Sequence, residues 1–380
     1  MALNQVGLER LGTSVTDKIG ENKNLIINGA MQVAQRGTSS TSSGYQTVDR
    51  FFHSGDGWDA AMTVSQSDVA SGTTPYTSGF RKAFKLQNGN QTSGAGAGDT
   101  LVMLHRIEGQ DLANSGWNYT SASSNVSFSF WVKSSVAQNF FFTFKTGDGT
   151  PQKYAMETGS LSADTWTKIT KTIPGNSNLQ FDNDNGEGLE IEWSIFRGTD
   201  ETGSMSLNTW AANNNSVRTP DQTSTWFTTN NATFEITGVQ LEVGSVATDF
   251  EHRSFGKELA LCQRYFQSIS RSSSTNSVDG TFAAGTCNTN GGAGGILQVM
   301  VRFQTTMRAA PTMTQSGTFS HHVSGVNVAD TTLSFNQAYI DGIKCTGTQT
   351  AFVSASGSCG ELTSKYSDTS TATIKADAEL

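Results

Sequence analysis

Two glutamates on one predicted strand have a spacing that suggests catalysis. Glu190 and Glu192 alternate with apolar residues in LEIEWSI, so both point to one face of a strand. They would lie about 6.5–7 Å apart, close to the separation in an inverting glycosidase. However, neighbours on one strand do not flank a glycosidic bond from opposite sides. A solvated strand face is therefore the favoured interpretation, and no catalytic residue is predicted.

An acidic loop just before this strand is a candidate metal site. Asp182, Asp184 and Glu187 lie in the segment DNDNGE and carry oxygen ligands of the kind that calcium prefers. The spacing is not that of an EF-hand, because Gly186 takes the fifth position and no Glu takes the twelfth. An ordinary acidic turn is the favoured interpretation, and a structural Ca²⁺ ion is the alternative. No other cofactor is predicted.

Tryptophans offer a binding surface instead. An indole face packs against sugar C–H groups, while neighbouring amide and acid groups bond the hydroxyls. Trp131 alternates with Phe128 and Phe130, so it points outward if those phenylalanines are core. The other candidates lie in polar, loop-like stretches. The competing interpretation is that each loop tryptophan anchors its loop over the core. The predicted ligand-binding residues are Trp58, Trp117, Trp131, Trp210 and Trp226.

Other chemistries have little support in the sequence. The glycine-rich run 94–98 lacks the Lys-Ser/Thr ending of a phosphate loop, and no G-x-S-x-G or H-E-x-x-H occurs. The adjacent His321 and His322 would face opposite sides of a strand. A net charge of −8 without a basic run argues against nucleic acid. Nothing approaches about 18 consecutive apolar residues, so no membrane insertion is predicted.

These side chains must be positioned by β-structure. The 380 residues are 35% hydrophobic and 15% charged and include 39 glycines, which is typical of an all-β protein with many turns. Several short strands with alternating apolar and polar residues, separated by turns rich in Gly, Ser and Asn, predict a β-sandwich. Polar stretches at 86–100 and 198–225 are predicted to be loops. Clear strand patterns occur at 25–27, 126–132, 140–144, 189–195 and 297–303.

The segment 234–266 joins two parts of the chain. Its apolar alternation changes phase once, which predicts a β-bulge at Gly238. Leu259, Cys262 and Tyr265 then recur at helical spacing and predict a short helix of about three turns. The predicted organisation is a short N-terminal helix used for docking or oligomerisation, a sandwich domain, the inter-domain helix and a smaller β domain. The domain bounds are 1–23, 24–252 and 253–380.

Three pieces of the chain resemble bacteriophage tail-fibre and virion-appendage proteins. They are NLIINGAMQVAQRGTS at 24–39 with Y-x-x-x-DRFF at 45–52, the segment containing GVQLEVG and ELALCQRYF at 238–266, and MRAAPTMT at 307–314. The resemblance implies a carbohydrate-binding-like jelly-roll β-sandwich followed by the smaller β domain as a distal knob. It also implies a virion protein made in the cytoplasm of the host bacterium.

Cysteine usage and the N-terminus fit that setting. The start MALNQVGLERLG lacks the basic and apolar blocks of a secretory signal. All four cysteines lie in the last third of the chain without metal-ligand spacing, so no zinc site is predicted. In bacterial cytosol, reduced buried thiols are favoured, and a Cys345–Cys359 hairpin bridge is the alternative.

The sequence favours host attachment without catalysis as the function. A virion fibre or appendage would bind a host surface glycan and contact other virion proteins through its N-terminal segment. The segment 253–380 has few large apolar residues and would be marginal alone, which predicts an oligomer. That the oligomer is a homotrimer follows from the resemblance. A purely structural capsid or tail decoration protein is the first alternative. A polysaccharide depolymerase is the second, although convergent carboxylates and solenoid repeats are absent from the sequence.

Overall fold

The computed structural model describes residues 23–272, 280–289, 295–323, 326–349, 359–364 and 371–380. Within these ranges the chain is nearly all β, as predicted. It divides into two compact units, one reaching Glu258 and including Leu380, the other 259–379. No helix in the described ranges has the length and apolar character needed to span a membrane. The helices are α1 (Thr74–Thr77), α2 (Gly109–Ala113), α3 (Thr225–Thr228) and α4 (Phe255–Gln263).

The first unit is a sandwich of two antiparallel sheets, each with six strands among the described residues. Its strands are β1 (Ser39–Ser40), β2 (Phe51–Asp56), β3 (Thr63–Asp68), β4 (Lys82–Gln87), β5 (Thr100–Glu108), β6 (Asn125–Ser134), β7 (Asn139–Thr146), β8 (Gln152–Ser160), β9 (Thr167–Pro174), β10 (Glu187–Arg197), β11 (Trp210–Ala212) and β12 (Thr233–Val243). The first sheet has the order β1-β3-β4-β12-β6-β9, and the second has the order β11-β8-β7-β10-β5-β2. Successive strands repeatedly cross between the sheets, as in a jelly roll.

Aromatic side chains fill the space between the two sheets. Phe128 and Phe130 of β6 point inward from the first sheet, and Phe142 of β7 and Trp193 of β10 point inward from the second. The ring centroids of Phe130 and Phe142 are 5.1 Å apart with an edge-to-face geometry. Each such side chain is fully buried, which stabilises the fold by about 1.5–3 kcal/mol. The alternation in the sequence therefore predicts the inner faces of β6, β7 and β10 correctly.

The predicted bulge is confirmed. The pairing of β12 with β6 shifts register between Thr237 and Gln240, and Gly238 has a φ of +63°. The extra residue rotates the following side chains by one pleat. Ile236 and Val239 can therefore both be buried in the core although their spacing in the chain is odd.

One predicted strand is wrong. Residues 25–27 form no strand: Leu25 N donates to Leu241 O at 2.9 Å, but side chains satisfy the backbone groups of Ile26. Asn24 Oδ1 accepts the N–H of Ile26 at 3.0 Å, and Arg253 Nη1 donates to Ile26 O at 3.1 Å. The predicted loop 198–225 also contains the short strand β11 and the beginning of α3. The predicted N-terminal helix lies outside the described residues, apart from Lys23.

The second unit is also built from strands. They are β13 (Phe266–Ser272), β14 (Thr281–Thr289), β15 (Gly295–Arg302), β16 (Thr312–Ser316), β17 (Phe319–Val323), β18 (Val326–Ala338), β19 (Gly342–Gln349), β20 (Cys359–Ser364) and β21 (Thr371–Asp377). Three of them form the sheet β13-β21-β16, and six form the closed barrel β14-β15-β19-β18-β17-β20. The predicted inter-domain helix is confirmed as α4, which ends three residues before β13.

The core of the second unit is small and mostly aliphatic. Leu297, Val299 and Val301 form one buried face of β15, as their alternation predicts, and pack with Ile343 and Cys345 of β19. Cys345 is a free thiol, and burial raises its pKa to about 12. This agrees with the reduced interpretation. The side chains of Cys287, His321 and Cys359 lie outside the described residues.

Candidate ligand-binding cleft

A cleft of about 250 Å³ opens on the outer face of the first sheet. The bulge of β12 and the outward-facing side chains of β6 and β9 form its floor. The loop after α1 and the segment 244–254, here called the strap, form its walls. The described residues that line it are Ser78, Phe80, Ser129, Trp131, Lys168, Gly238, Asp249, Phe250 and His252.

Three aromatic rings in mutual contact build one wall. Phe80 lies 4.8 Å from Phe250 and 5.2 Å from His252, and Phe250 lies 5.0 Å from His252, measured between ring centroids. The Nε2–H of His252 donates to Ser78 O at 3.0 Å, which joins the strap to the loop after α1. The Phe80–Phe250 and Phe250–His252 pairs are edge-to-face, and such contacts add about 0.5–1.5 kcal/mol each beyond burial. The wall is therefore ordered by its own packing.

Two glycines allow the close packing of this wall, Gly238 against the sheet and Gly79 between the loop after α1 and the strap. A Cβ on Gly238 would lie 2.6 Å from the Phe80 ring, and a Cβ on Gly79 would lie 2.8 Å from the His252 ring. Both glycines have positive φ, which other residues adopt only with strain. The bulge thus serves the cleft as well as the register of β12.

Outward-facing polar residues of β12 hold the strap in place. Glu242 accepts hydrogen bonds from Thr248 N at 2.7 Å and from Thr248 Oγ1 at 2.6 Å. Gln240 Oε1 accepts the N–H of Glu251 at 2.8 Å. The side chains of Gln240 and Glu242 are buried, so each of these bonds would be costly to lose. A polar strand face therefore positions Asp249, Phe250 and His252.

Trp131 supplies the apolar surface of the floor. It is half-buried, so one part of the indole packs on the protein and the rest faces the cleft. Lys168 is its direct cross-strand neighbour on β9, and Lys168, Asp249, Ser78 and His252 are all exposed. An aromatic surface edged by hydroxyl, ammonium, carboxylate and imidazole groups is suited to a ligand that is both polar and ring-shaped.

The structure places the five predicted tryptophans in different environments. Trp131 points outward into the cleft, as predicted. Trp58 and Trp210 are half-buried against the core, and Trp210 Nε1–H donates to Pro174 O at 2.7 Å. Trp117 and Trp226 belong to the core itself. They therefore offer no surface to a ligand, and the prediction that they bind one needs correction.

The burial of Trp226 has a clear structural cause. Its backbone N–H donates to Gln138 Oε1 at 2.9 Å, and its indole N–H donates to Thr233 O at 3.0 Å. Trp117 likewise donates its indole N–H to Ser124 O at 3.2 Å. Both loops fold inward and anchor on the sandwich. This is the competing interpretation that the sequence left open.

Several cleft residues were not predicted from the sequence. Phe80 and Phe250 lie in irregular segments without periodicity, and Lys168 lies on a strand that the pattern did not single out. The one available signal was the alternation of β9, in which Ile169 and Ile173 point inward and Lys168 outward. The alternation alone does not place Lys168 beside Trp131, because that also requires the pairing register of β9 with β6.

The two glutamates considered as a catalytic pair are held in ion pairs. Glu190 pairs with Arg106 and Lys145, each at 2.8 Å. Glu192 is buried and pairs with Arg197 at 2.7 Å. Burial alone would raise the pKa of Glu192, but the Arg197 guanidinium outweighs it and lowers the pKa to about 2. The pair is therefore not simply solvated, as the sequence suggested, but engaged with cations.

The three predicted metal ligands are not brought together. Asp182 accepts a hydrogen bond from Gln180 at 2.9 Å, and Asp184 accepts the N–H of Gly186 at 2.8 Å. Glu187 turns to Arg106 at 2.8 Å. In the described part of the chain, no group of three His, Cys, Asp or Glu side chains is arranged to hold a metal ion. These carboxylates serve the turn and the adjacent ion pairs.

No family model and no curated protein matches this chain. Solved structures match it only distantly. The enzymatically active domain of bacteriophage CBA120 tailspike protein 4 is 10% identical with a TM-score of 0.31, and the match covers 58% of this chain and 22% of that chain. A family 11 carbohydrate-binding module of Clostridium thermocellum is 13% identical with a TM-score of 0.25, covering 57% and 98%. Similarity at this level does not indicate what the chain binds.

Proposed function

We propose that this chain is a non-catalytic, glycan-binding component of a bacteriophage tail fibre or virion appendage, and that the cleft holds the glycan. The observation that carries the proposal is the half-buried Trp131 on a rigid sheet, edged by exposed polar groups. An indole face matches the C–H face of a pyranose ring, and the surrounding groups match its hydroxyls. The cleft volume of about 250 Å³ suits one or two sugar rings better than a long polymer track.

The state of the carboxylates supports binding without hydrolysis. A glycosidase needs one carboxyl group that carries a proton at the working pH and a second that is ionised. Glu192 is a poor proton donor, because its pKa is near 2 and Arg197 occupies both of its oxygens. Glu190 is bound by two cations. Asp249 is the one carboxylate among the described residues that line the cleft.

The virion setting rests on the three sequence pieces that resemble tail-fibre and appendage proteins. The proposal also includes a homotrimer. Its N-terminal segment would hold it to other virion proteins, and the chain would be made in the host cytoplasm. Three weak sites on one particle would act together on a surface that repeats the same glycan. Weak individual binding is thus compatible with firm attachment.

Binding to purified bacterial surface polysaccharides tests this function. The full chain is screened on an array of such glycans, and a positive one is titrated by calorimetry. Trp131→Ala should weaken binding by about tenfold or more, because the stacking surface is lost. Trp58→Ala removes another half-buried indole outside the cleft and should leave the affinity unchanged.

The same experiment distinguishes the alternatives. Equal loss in both variants would assign the effect to general destabilisation and contradict the cleft assignment. Release of new reducing ends from the bound glycan would show a depolymerase. Absence of binding to any glycan by the intact chain would favour a purely structural decoration protein.

A further inference from the structure

Tryptophans and lysines alternate on the outer face of the first sheet beside the cleft. Trp131 on β6 is the cross-strand neighbour of Lys168 on β9. One step along the sheet, Lys133 of β6 places its ammonium 5.1 Å from the ring of Trp166. A lysine and a tryptophan therefore neighbour each other twice here, once across β6 and β9 and once between β6 and Trp166, which directly precedes β9.

The two lysines differ in their charge partners. Lys133 Nζ forms an ion pair with Glu235 at 2.9 Å, so its charge is compensated within the protein. Lys168 has no ion pair with any residue that the structure describes, and its side chain is exposed at the cleft. Asp249 also lines the cleft but does not pair with Lys168. The ammonium of Lys168 is thus not paired with any carboxylate that the structure describes, and it neighbours the stacking surface of Trp131.

From this juxtaposition, and resting on the proposed function, we infer that the cleft selects an acidic saccharide. A uronic-acid ring stacks on Trp131 and directs its carboxylate to the ammonium of Lys168. A carboxylate fits better than a phosphate, because phosphate sites gather several donors, such as arginines or helix N-termini, whereas this cleft offers a single lysine. The selection is local, since the protein as a whole carries a net charge of −8 and does not attract polyanions.

Matched oligosaccharides test the inference directly. The full chain is titrated with uronic-acid tetrasaccharides and with the same tetrasaccharides after reduction of each carboxyl group to an alcohol. The acidic form should bind about tenfold more tightly, as expected for a hydrogen bond to a charged group. Raising the salt concentration from about 0.05 M to about 0.5 M should reduce this preference, because the pair is near the surface.

Two lysine variants locate the effect. Lys168→Gln should remove the preference for the acid, so that the acidic and the reduced forms bind this variant with equal affinity. Lys171→Gln removes the same charge from the same strand but outside the cleft lining, and it should keep the preference. The chain is also titrated with a sugar phosphate and with its dephosphorylated form. A preference for the phosphate, without one for the uronic acid, would overturn the inference that the cleft selects a carboxylate.

The outcomes separate this inference from the proposed function. Equal binding of acidic and reduced forms, still sensitive to Trp131→Ala, overturns the acid selection and leaves the glycan site standing. A preference that survives Lys168→Gln overturns the role of Lys168. Failure of every saccharide, acidic or neutral, to bind the intact chain overturns both.

Discussion

Gly238 couples the register of a strand to the shape of the cleft. Its φ of +63° allows β12 to insert one extra residue, and its missing side chain makes room for Phe80. Phe80 in turn packs against Phe250 and His252. A single position therefore affects the core side of β12, through the phase of its alternation, and the ligand side, through the aromatic wall.

Gly238→Ala should therefore destabilise the first unit by about 2–4 kcal/mol, because positive φ and a displaced Phe80 both add cost. Gly72→Ala is the matched control, since Gly72 has a φ of +84° but nothing within 4 Å of the added Cβ. The control should lose only about 1 kcal/mol. Urea denaturation followed by tryptophan fluorescence measures both, because all 7 tryptophans lie in the first unit. Equal losses would show that Phe80 moves aside without cost.

The position of a single side chain could be predicted from the sequence when its contacts are with near neighbours in the chain, and not when they are with distant residues. The outward direction of Trp131 follows from alternation with its immediate neighbours, and the structure agrees. The burial of Trp226 depends on Gln138, which lies 88 positions away in the chain. No local pattern contains that contact. The cleft likewise joins β6, β9, β12, the loop after α1 and the strap, so its composition could not be read from any one segment.

Elements with strong apolar alternation were predicted, and elements without it were missed. The strands β6, β7, β10 and β15 each carry large apolar side chains at every second residue, so their period is visible in the sequence. By contrast, β3 reads TVSQSD and buries only Val64 fully, yet it pairs along its whole length with β4. Main-chain hydrogen bonds to a neighbour define such a strand, and the sequence of one strand does not reveal its partner.

Two of the three sequence pieces that resemble virion proteins, 24–52 and 238–266, meet in one buried hydrogen-bond cluster. Asn28 Nδ2 donates to Val33 O and Asp49 O, each at 2.9 Å, and Val33 N donates to Asn28 Oδ1 at 3.0 Å. The backbone N–H of Asn28 donates to Glu258 on α4, which also pairs with Arg253. These pieces thus hold the start of the sandwich to its last segment. Their role is structural, which explains why the resemblance suggests a setting more clearly than an activity.

Asn28→Ala should cost the first unit about 3–5 kcal/mol, because three buried hydrogen bonds are lost and alanine is strained at a φ of +60°. Asn231→Ala is the matched control, with a φ of +58° but an exposed side chain. It should cost about 1–2 kcal/mol. Tryptophan fluorescence during urea denaturation again gives the free energy of unfolding. A loss at Asn28 no larger than that at Asn231 would rule out the cluster as a stabilising joint.

The two units differ in the size of the side chains that stabilise them. The first unit buries a continuous aromatic core, whereas the second packs mainly Leu, Val and Ile inside its barrel and small sheet. The second unit also exposes large apolar side chains, with Met300 at 42%, Tyr339 at 38% and Ile340 at 48% of full accessibility. Association between copies would bury these exposed apolar groups and so compensate for the small core of the second unit.

The proposed homotrimer makes a prediction for the whole molecule. Sedimentation equilibrium at micromolar concentration should give three times the chain mass of 40.5 kDa, and the thermal midpoint should rise with protein concentration, because association stabilises the folded state. Attachment to a surface that repeats the glycan should then exceed binding of the soluble saccharide by about 10²–10⁴-fold through avidity.

Met300→Lys places a charge on the exposed apolar group of the second unit and should weaken association if copies meet there, while Lys85→Gln on the first sheet should not. A single-chain mass with equal affinity for surface and soluble glycan would leave the cleft intact but remove the trimer from the account of attachment.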